Sequence, residues 1–137
     1  MTQPQHYGLQ PADKLIEPLA PIGPATHHSI YLGEDSNGQE WFSENVKQEG
    51  VRLITAEDFF YPGRPIRNIV KFQGTPEQRK AAVQRALAEV GHPYNLINYN
   101  CEHFARQVQT GKPRSLQVER FVGITLFLLI LMLIQSE

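Results

Sequence analysis

The sequence predicts an α+β domain, an antiparallel sheet packed against helices, followed by a hydrophobic helix on its C-terminal side. Three observations carry this. Short β-prone runs separated by turn residues fill the first half. Two well-capped helical segments fill the second. Residues 121–134 then read FVGITLFLLILMLI, fourteen positions without a charge. Strands grouped ahead of helices, rather than alternating with them, favour an antiparallel sheet.

Residues 1–12 are polar, carry Pro4 and Pro11, and read as a flexible arm. Lys14-Leu15-Ile16-Glu17 is a short strand stopped by Pro18. After a loop with Pro21, Gly23 and Pro24, His27 to Leu32 forms a second strand. Glu40 to Asn45 returns beside it through an Asn37-Gly38 turn, a strong hairpin signal. Val51 to Thr55 is the next strand, Ala56 to Phe60 a short helix broken by Pro62-Gly63, and Ile66 to Phe72 a less regular strand. The strongest helix runs from Pro76 to Val90. Thr75 caps it, Gln78 completes the capping box, and Gly91 with Pro93 ends it. Val83, Ala86, Leu87 and Val90 are its expected buried stripe. A last soluble helix follows Asn100 and stops at Gly111 and Pro113.

Composition narrows the class of function. A chain of 137 residues supports one domain with a modest core. Thirteen Lys and Arg balance fourteen Asp and Glu, and no basic run exceeds Arg79-Lys80, so nucleic acid is not an expected partner. The single cysteine excludes an internal disulfide and a cysteine-rich zinc site, and favours a reducing, cytosol-facing compartment. The first residues lack the basic and apolar regions of a secretory signal. A helix over 121–134 covers about 20 Å, short of a ~30 Å hydrocarbon core. Its lack of a polar face beyond Thr125 favours entry into a bilayer over packing in a core, either spanning or partly inserted. Arg114 and Arg120 precede it, where they would meet anionic headgroups on the cytoplasmic side.

Asn100-Cys101-Glu102-His103-Phe104-Ala105 is the most informative stretch. Asn100 is a good N-cap, which sets Cys101 at the first helical position, where amide groups and the macrodipole stabilise a thiolate. A nucleophilic thiol needs a base, and the base needs an orienting group. His103, two positions on, points to a different side; His6 lies in the arm and His92 in a loop. His27 and His28 begin a strand, where neighbours face opposite sides of the sheet, so one of them points toward whatever packs there.

The Asn100–Phe104 motif, with Tyr94-Asn95-Leu96 before it and Gly111-Lys112-Pro113 after it, resembles the cysteine motif of the lecithin:retinol acyltransferase family. That family includes the small phospholipase/acyltransferases related to the H-rev tumour suppressors. His27-His28-Ser29-Ile30-Tyr31-Leu32-Gly33 is similar to its histidine strand and Asp13 to Glu17 to its opening strand, so the likeness covers roughly residues 13 to 134. The resemblance implies a circularly permuted, NlpC-like papain fold, with Cys101 as nucleophile and His27 as general base. His28 would face away as a structural or surface residue. The family's third member is a histidine on the following strand, and this chain has none between His28 and His92. Glu44 or Asn45 falls at that place. Glu44 is favoured because it would also stabilise an imidazolium, and a one-residue change of register would exchange the two.

The implied chemistry is thiol-dependent acyl transfer or hydrolysis on membrane glycerophospholipids through a cysteine thioester. It requires no cofactor and no metal, and Cys101 N–H would stabilise the oxyanion. The expected partners are a phospholipid substrate and the membrane; the sequence identifies no protein partner. Two alternatives stand beside it: an NlpC-type cysteine amidase or peptidase, and a non-catalytic membrane-remodelling module. The expected organisation is an arm at 1–12, a catalytic domain at 13–115 and an anchor segment at 116–137.

Overall fold

The computed structural model describes residues 1–135. Five antiparallel strands form one sheet: β1 (Lys14–Pro18), β2 (Thr26–Glu34), β3 (Glu40–Val46), β4 (Gly50–Thr55) and β5 (Asn68–Val70), in the spatial order β4-β3-β2-β1-β5. The helices are α1 (Gln3–His6), α2 (Ala56–Phe60), α3 (Pro76–Ala88), α4 (Cys101–Thr110) and α5 (Leu116–Gln135). The α+β class with an antiparallel sheet is the observed one.

Side-chain alternation along β2 divides the core in two. Ile30 faces α3 and α4, packing with Ala82, Ala86, Phe104, Ala105 and Val108. Tyr31 faces the other side with Leu15, Phe42 and Phe59, a layer closed by α2. Phe42 and Phe59 stack there with ring centroids 4.0 Å apart. Because successive side chains alternate, His28 belongs to the α4 side, whereas His27 shares the opposite side with Ser29, Tyr31 and, across the hairpin, Glu44.

Two elements differ from expectation. The strand expected over Ile66 to Phe72 is only three residues long, because beyond Val70 the chain leaves β1 and Phe72 N–H donates instead to the Asp13 carboxylate at 3.0 Å. In α3 the buried stripe is Ala82 and Ala86 with Val83 at its edge. Leu87 and Val90 are 41% and 45% exposed, and Val90 lies beyond the helix end. Two alanines let α3 approach α4 closely, and that contact turns the larger side chains outward.

Residues 1–12 hold α1, capped by Thr2, with Pro4 buried and Ala12 in the core. The C-terminal helix starts five residues before the apolar run and has twenty residues, about 30 Å. Its mean hydropathy is 2.0, none of it is buried, and it is long and apolar enough to cross a membrane.

The loop that delivers Cys101 is fastened to the edge strand β4. Val51 N–H donates to His92 carbonyl at 2.9 Å, and Gly91 N–H to Val51 carbonyl at 2.8 Å. Gly50 makes this approach feasible: its φ is +73°, and a Cβ there would overlap the His92 carbonyl. Gly50→Ala is expected to cost about 2–3 kcal/mol through strain and lost contact. Urea denaturation checks this; a loss below about 0.5 kcal/mol would show that the loop tolerates displacement.

Candidate active site

Asn100 builds the N-terminus of α4. Its Oδ1 accepts from Glu102 N–H at 3.0 Å and His103 N–H at 3.1 Å, while His103 Nδ1 accepts from Asn100 N–H at 3.1 Å. His103 is thus the reciprocal half of a capping box, and burial lowers its pKa, keeping the ring neutral for that bond. The cap takes the second and third helical amides and leaves that of Cys101 directed out of the helix.

Cys101 is 7% exposed, and its Sγ lies 3.8 Å from the carbonyl oxygen of Thr26, the residue before His27. His27 interacts with the Cys101 side chain and, through Nε2, with Glu44 Oε2 at 2.9 Å. With Glu44 accepting from Nε2–H, Nδ1 is the nitrogen left for the thiol proton. Burial alone would lower the His27 pKa; the interactions with Cys101 and Glu44 outweigh it and push it up to about 10. Burial alone would raise the Glu44 carboxyl, yet bonds from His27, Arg64 and Arg52 hold it well below the usual carboxylate range. The arrangement therefore maintains an imidazolium between an anion and a sulfur.

The sequence reading paired Glu44 or Asn45 with the base. Glu44 is the one in contact with His27. Asn45 faces the α4 side and donates Nδ2–H to the Tyr99 carbonyl at 2.8 Å, steadying the chain just before Asn100. His28 also faces that side. It is 5% exposed, bonded through Nε2 to Thr26 Oγ1 at 3.0 Å, and pushed down to about 4 by burial and by the Lys14 charge. Burial and the Thr26 bond leave this ring neutral and enclosed.

Residues that the sequence reading did not select complete the site. Arg52 bonds Glu44 Oε1 through Nη2 at 2.7 Å and Nε at 3.1 Å. Arg64 Nη1 bridges Glu44 Oε2 at 2.9 Å and Glu17 Oε1 at 3.1 Å, with its guanidinium 4.3 Å over the Phe59 ring. Arg52 was within reach of sequence reasoning, because it stands opposite Glu44 in the β3–β4 register. Arg64 follows the Pro62-Gly63 break and carries no such signal. Glu17, His27 and Glu44 bring possible ligand atoms within 4.8 Å of one another. Arg64 bonds both carboxylates and Arg52 bonds Glu44, so two guanidinium groups balance the two negative charges.

The first turn of α5 is also tied to the site. Gln117 Oε1 accepts from Thr26 N–H at 3.0 Å, and Glu102 Oε2 accepts from Ser115 Oγ at 2.8 Å and Gln117 N–H at 3.1 Å. A cleft of about 460 Å³ that contains charged side chains and an apolar groove of about 280 Å³ both reach Cys101. A larger cavity of about 650 Å³ lies between α1 and α2 and contains neither a cysteine nor a histidine.

Glu44→Gln is expected to lower kcat roughly 10–100-fold, because an amide orients His27 without stabilising its positive charge. It is also expected to destabilise the fold by ~3 kcal/mol by leaving Arg52 and Arg64 without their shared anion. The pH dependence has a definite sign. A depressed Glu44 contributes stability above its ordinary value of 4.5, and that contribution is lost as pH falls. A raised His27 contributes fully below its ordinary 6.5 and loses its contribution as pH rises through about 10. The difference between wild type and Glu44→Gln should therefore shrink on acidification, as thermal melts across pH would record. A constant difference would mean that Glu44 is not ionised in the fold.

The family model described as Lecithin retinol acyltransferase matches residues 11–114. Among curated proteins, human lecithin retinol acyltransferase is 29% identical over 126 residues, covering 70% of this chain and 54% of its own length. The chain spans about half the length of that relative.

Proposed function

The chain belongs to the lecithin retinol acyltransferase family, and from that premise we propose that it transfers or hydrolyses acyl groups of membrane glycerophospholipids through a thioester on Cys101. The observation that carries this reading is that His27, bonded to the Glu44 carboxylate at 2.9 Å, lines the same cleft as Cys101 and interacts with its side chain. Cys101 thiolate attacks the ester carbonyl, and the tetrahedral oxyanion is met by Cys101 N–H at the start of α4. As the C–O bond breaks, His27 gives its proton to the lyso-lipid oxygen, leaving an acyl-thioester and a neutral imidazole. Water or an amine then attacks the thioester, returns a proton to His27 and expels the thiolate. Water gives phospholipase A-type hydrolysis; an amine or alcohol gives acyl transfer.

Residues 13–115 form the catalytic unit in this reading, and residues 116–137 hold it at the membrane. The unburied apolar surface of α5 supports that role, since substrate that stays in the bilayer is reached most readily by an enzyme held there. Arg114 and Arg120, on the domain side of the apolar run, support a cytoplasm-facing orientation.

Incubation with labelled phosphatidylcholine vesicles and, in parallel, a labelled peptide library distinguishes the chemistries. Release of lyso-lipid and fatty acid without peptide cleavage is expected. Peptide cleavage alone would reassign the thiol to amidase chemistry, and no turnover of either would favour a membrane module.

A further inference from the structure

A phospholipid ester held at Cys101 extends in two directions from its carbonyl, and the protein offers two unlike surfaces there. One is the cleft into which the charged or ionisable side chains of His27, Glu44, Lys47, Arg52 and Arg64 are gathered. The other is the apolar groove walled by Leu96 and Ile97 from the loop before α4, and by Val118 and Phe121 from α5. Cys101 lines both, together with Leu19, Tyr94 and Leu96, so the sulfur stands where the two surfaces meet.

The proton route decides which half of the lipid goes where. His27 protonates the departing glycerol oxygen, so glycerol must leave on the side of His27, within the cleft that holds the charged groups. The acyl chain stays on sulfur and must occupy the other surface. That groove is continuous with Phe121, where the apolar run of α5 begins, and its rim residues Leu96, Ile97 and Phe121 are 58%, 47% and 65% exposed. A chain can pass from bilayer to sulfur along largely apolar surface. In the cleft on the His27 side, Arg52 and Arg64 are taken by Glu44, Glu49 and Glu17. Lys47, in the β3–β4 turn, is exposed and has no ion pair among the described residues. It is the cation free to meet a phosphate.

We propose that the groove of Leu96, Ile97, Val118 and Phe121 holds the scissile acyl chain, and that Lys47 receives the phosphate of the same lipid. The substrate is thereby oriented tail toward α5 and headgroup toward the β3–β4 turn. This deepens the phospholipid reading above and rests on it.

The test uses the full chain in detergent micelles containing dioctanoyl or dipalmitoyl phosphatidylcholine, with lyso-lipid release as the readout. Ile97→Trp is expected to lower the dipalmitoyl rate about tenfold more than the dioctanoyl rate, because the added ring fills the groove. Val118→Trp, on the opposite wall, should shift the same ratio and serves if the first variant folds poorly. Lys47→Glu should lower the phosphatidylcholine rate several-fold more than the rate on uncharged diacylglycerol. Unchanged chain-length ratios in both tryptophan variants would overturn the groove assignment, while an unchanged headgroup ratio in Lys47→Glu would overturn the phosphate contact. Either result leaves the thiol chemistry standing. A wild-type protein acylated by p-nitrophenyl acetate but by no phospholipid overturns the lipid reading, and this orientation with it.

Discussion

Cys101→Ala is expected to lower phospholipid turnover by at least ~10³-fold while leaving vesicle binding unchanged. The methyl group cannot form the thioester, and neither His27 nor water held beside it offers an equivalent nucleophile. The fold should tolerate the change, since Asn100 rather than Cys101 supplies the helix cap, and the sulfur adds only its interaction with His27 and a long contact, 3.8 Å, to the Thr26 carbonyl. Binding should persist because the exposed apolar surface of α5 is a separate segment. Removal of residues 122–137, which leaves Phe121 in place on the acyl groove, is the complementary experiment: it should abolish vesicle binding and retain turnover of detergent-dispersed lipid. Undiminished turnover by purified Cys101→Ala would remove the thiol from the mechanism.

His27→Gln is expected to cost about 10³-fold in kcat, and His28→Gln far less. A glutamine at position 27 can still bond Glu44 but can neither accept the thiol proton nor return one to the leaving oxygen. His28 lies on the opposite face, neutral and bonded to Thr26, so its replacement should appear first as lowered thermal stability. The pH profile gives a second check. The alkaline limb of wild-type activity should follow His27, raised to about 10, and should move to lower pH in Glu44→Gln, which loses one of the two interactions that raise it. Equal losses from the two glutamine variants, or an alkaline limb that does not move, would mean the base has been assigned to the wrong face of β2.

How much of this was legible in the sequence depended on whether the signal was local. The cap at Asn100, the hairpin around Asn37-Gly38 and the α2 helix are written in consecutive residues, and their structural counterparts fall at the expected places. The division of labour within His27-His28 and Glu44-Asn45 is a matter of parity, and parity needs one fixed point on each strand. Ile30 supplies it for β2 and Phe42 for β3, once each is known to face α4 or α2. The arginine clamp was less accessible. Arg52 reaches Glu44 through strand register, whereas Arg64 arrives from a loop twenty positions away and is steadied by the Phe59 ring. The helix over Leu116–Gln135 exceeds its apolar run because its first turn is bonded to Glu102 and Thr26, contacts that hydropathy does not encode.

The most direct measurement is mass spectrometry of protein exposed to dipalmitoyl phosphatidylcholine, quenched in acid within the first turnover and digested. A hydroxylamine-labile palmitoyl group on the peptide bearing residue 101, absent from the His27→Gln protein at the same time point, is the predicted result. Lyso-lipid released in that interval with the thiol unmodified would contradict covalent catalysis at this cysteine.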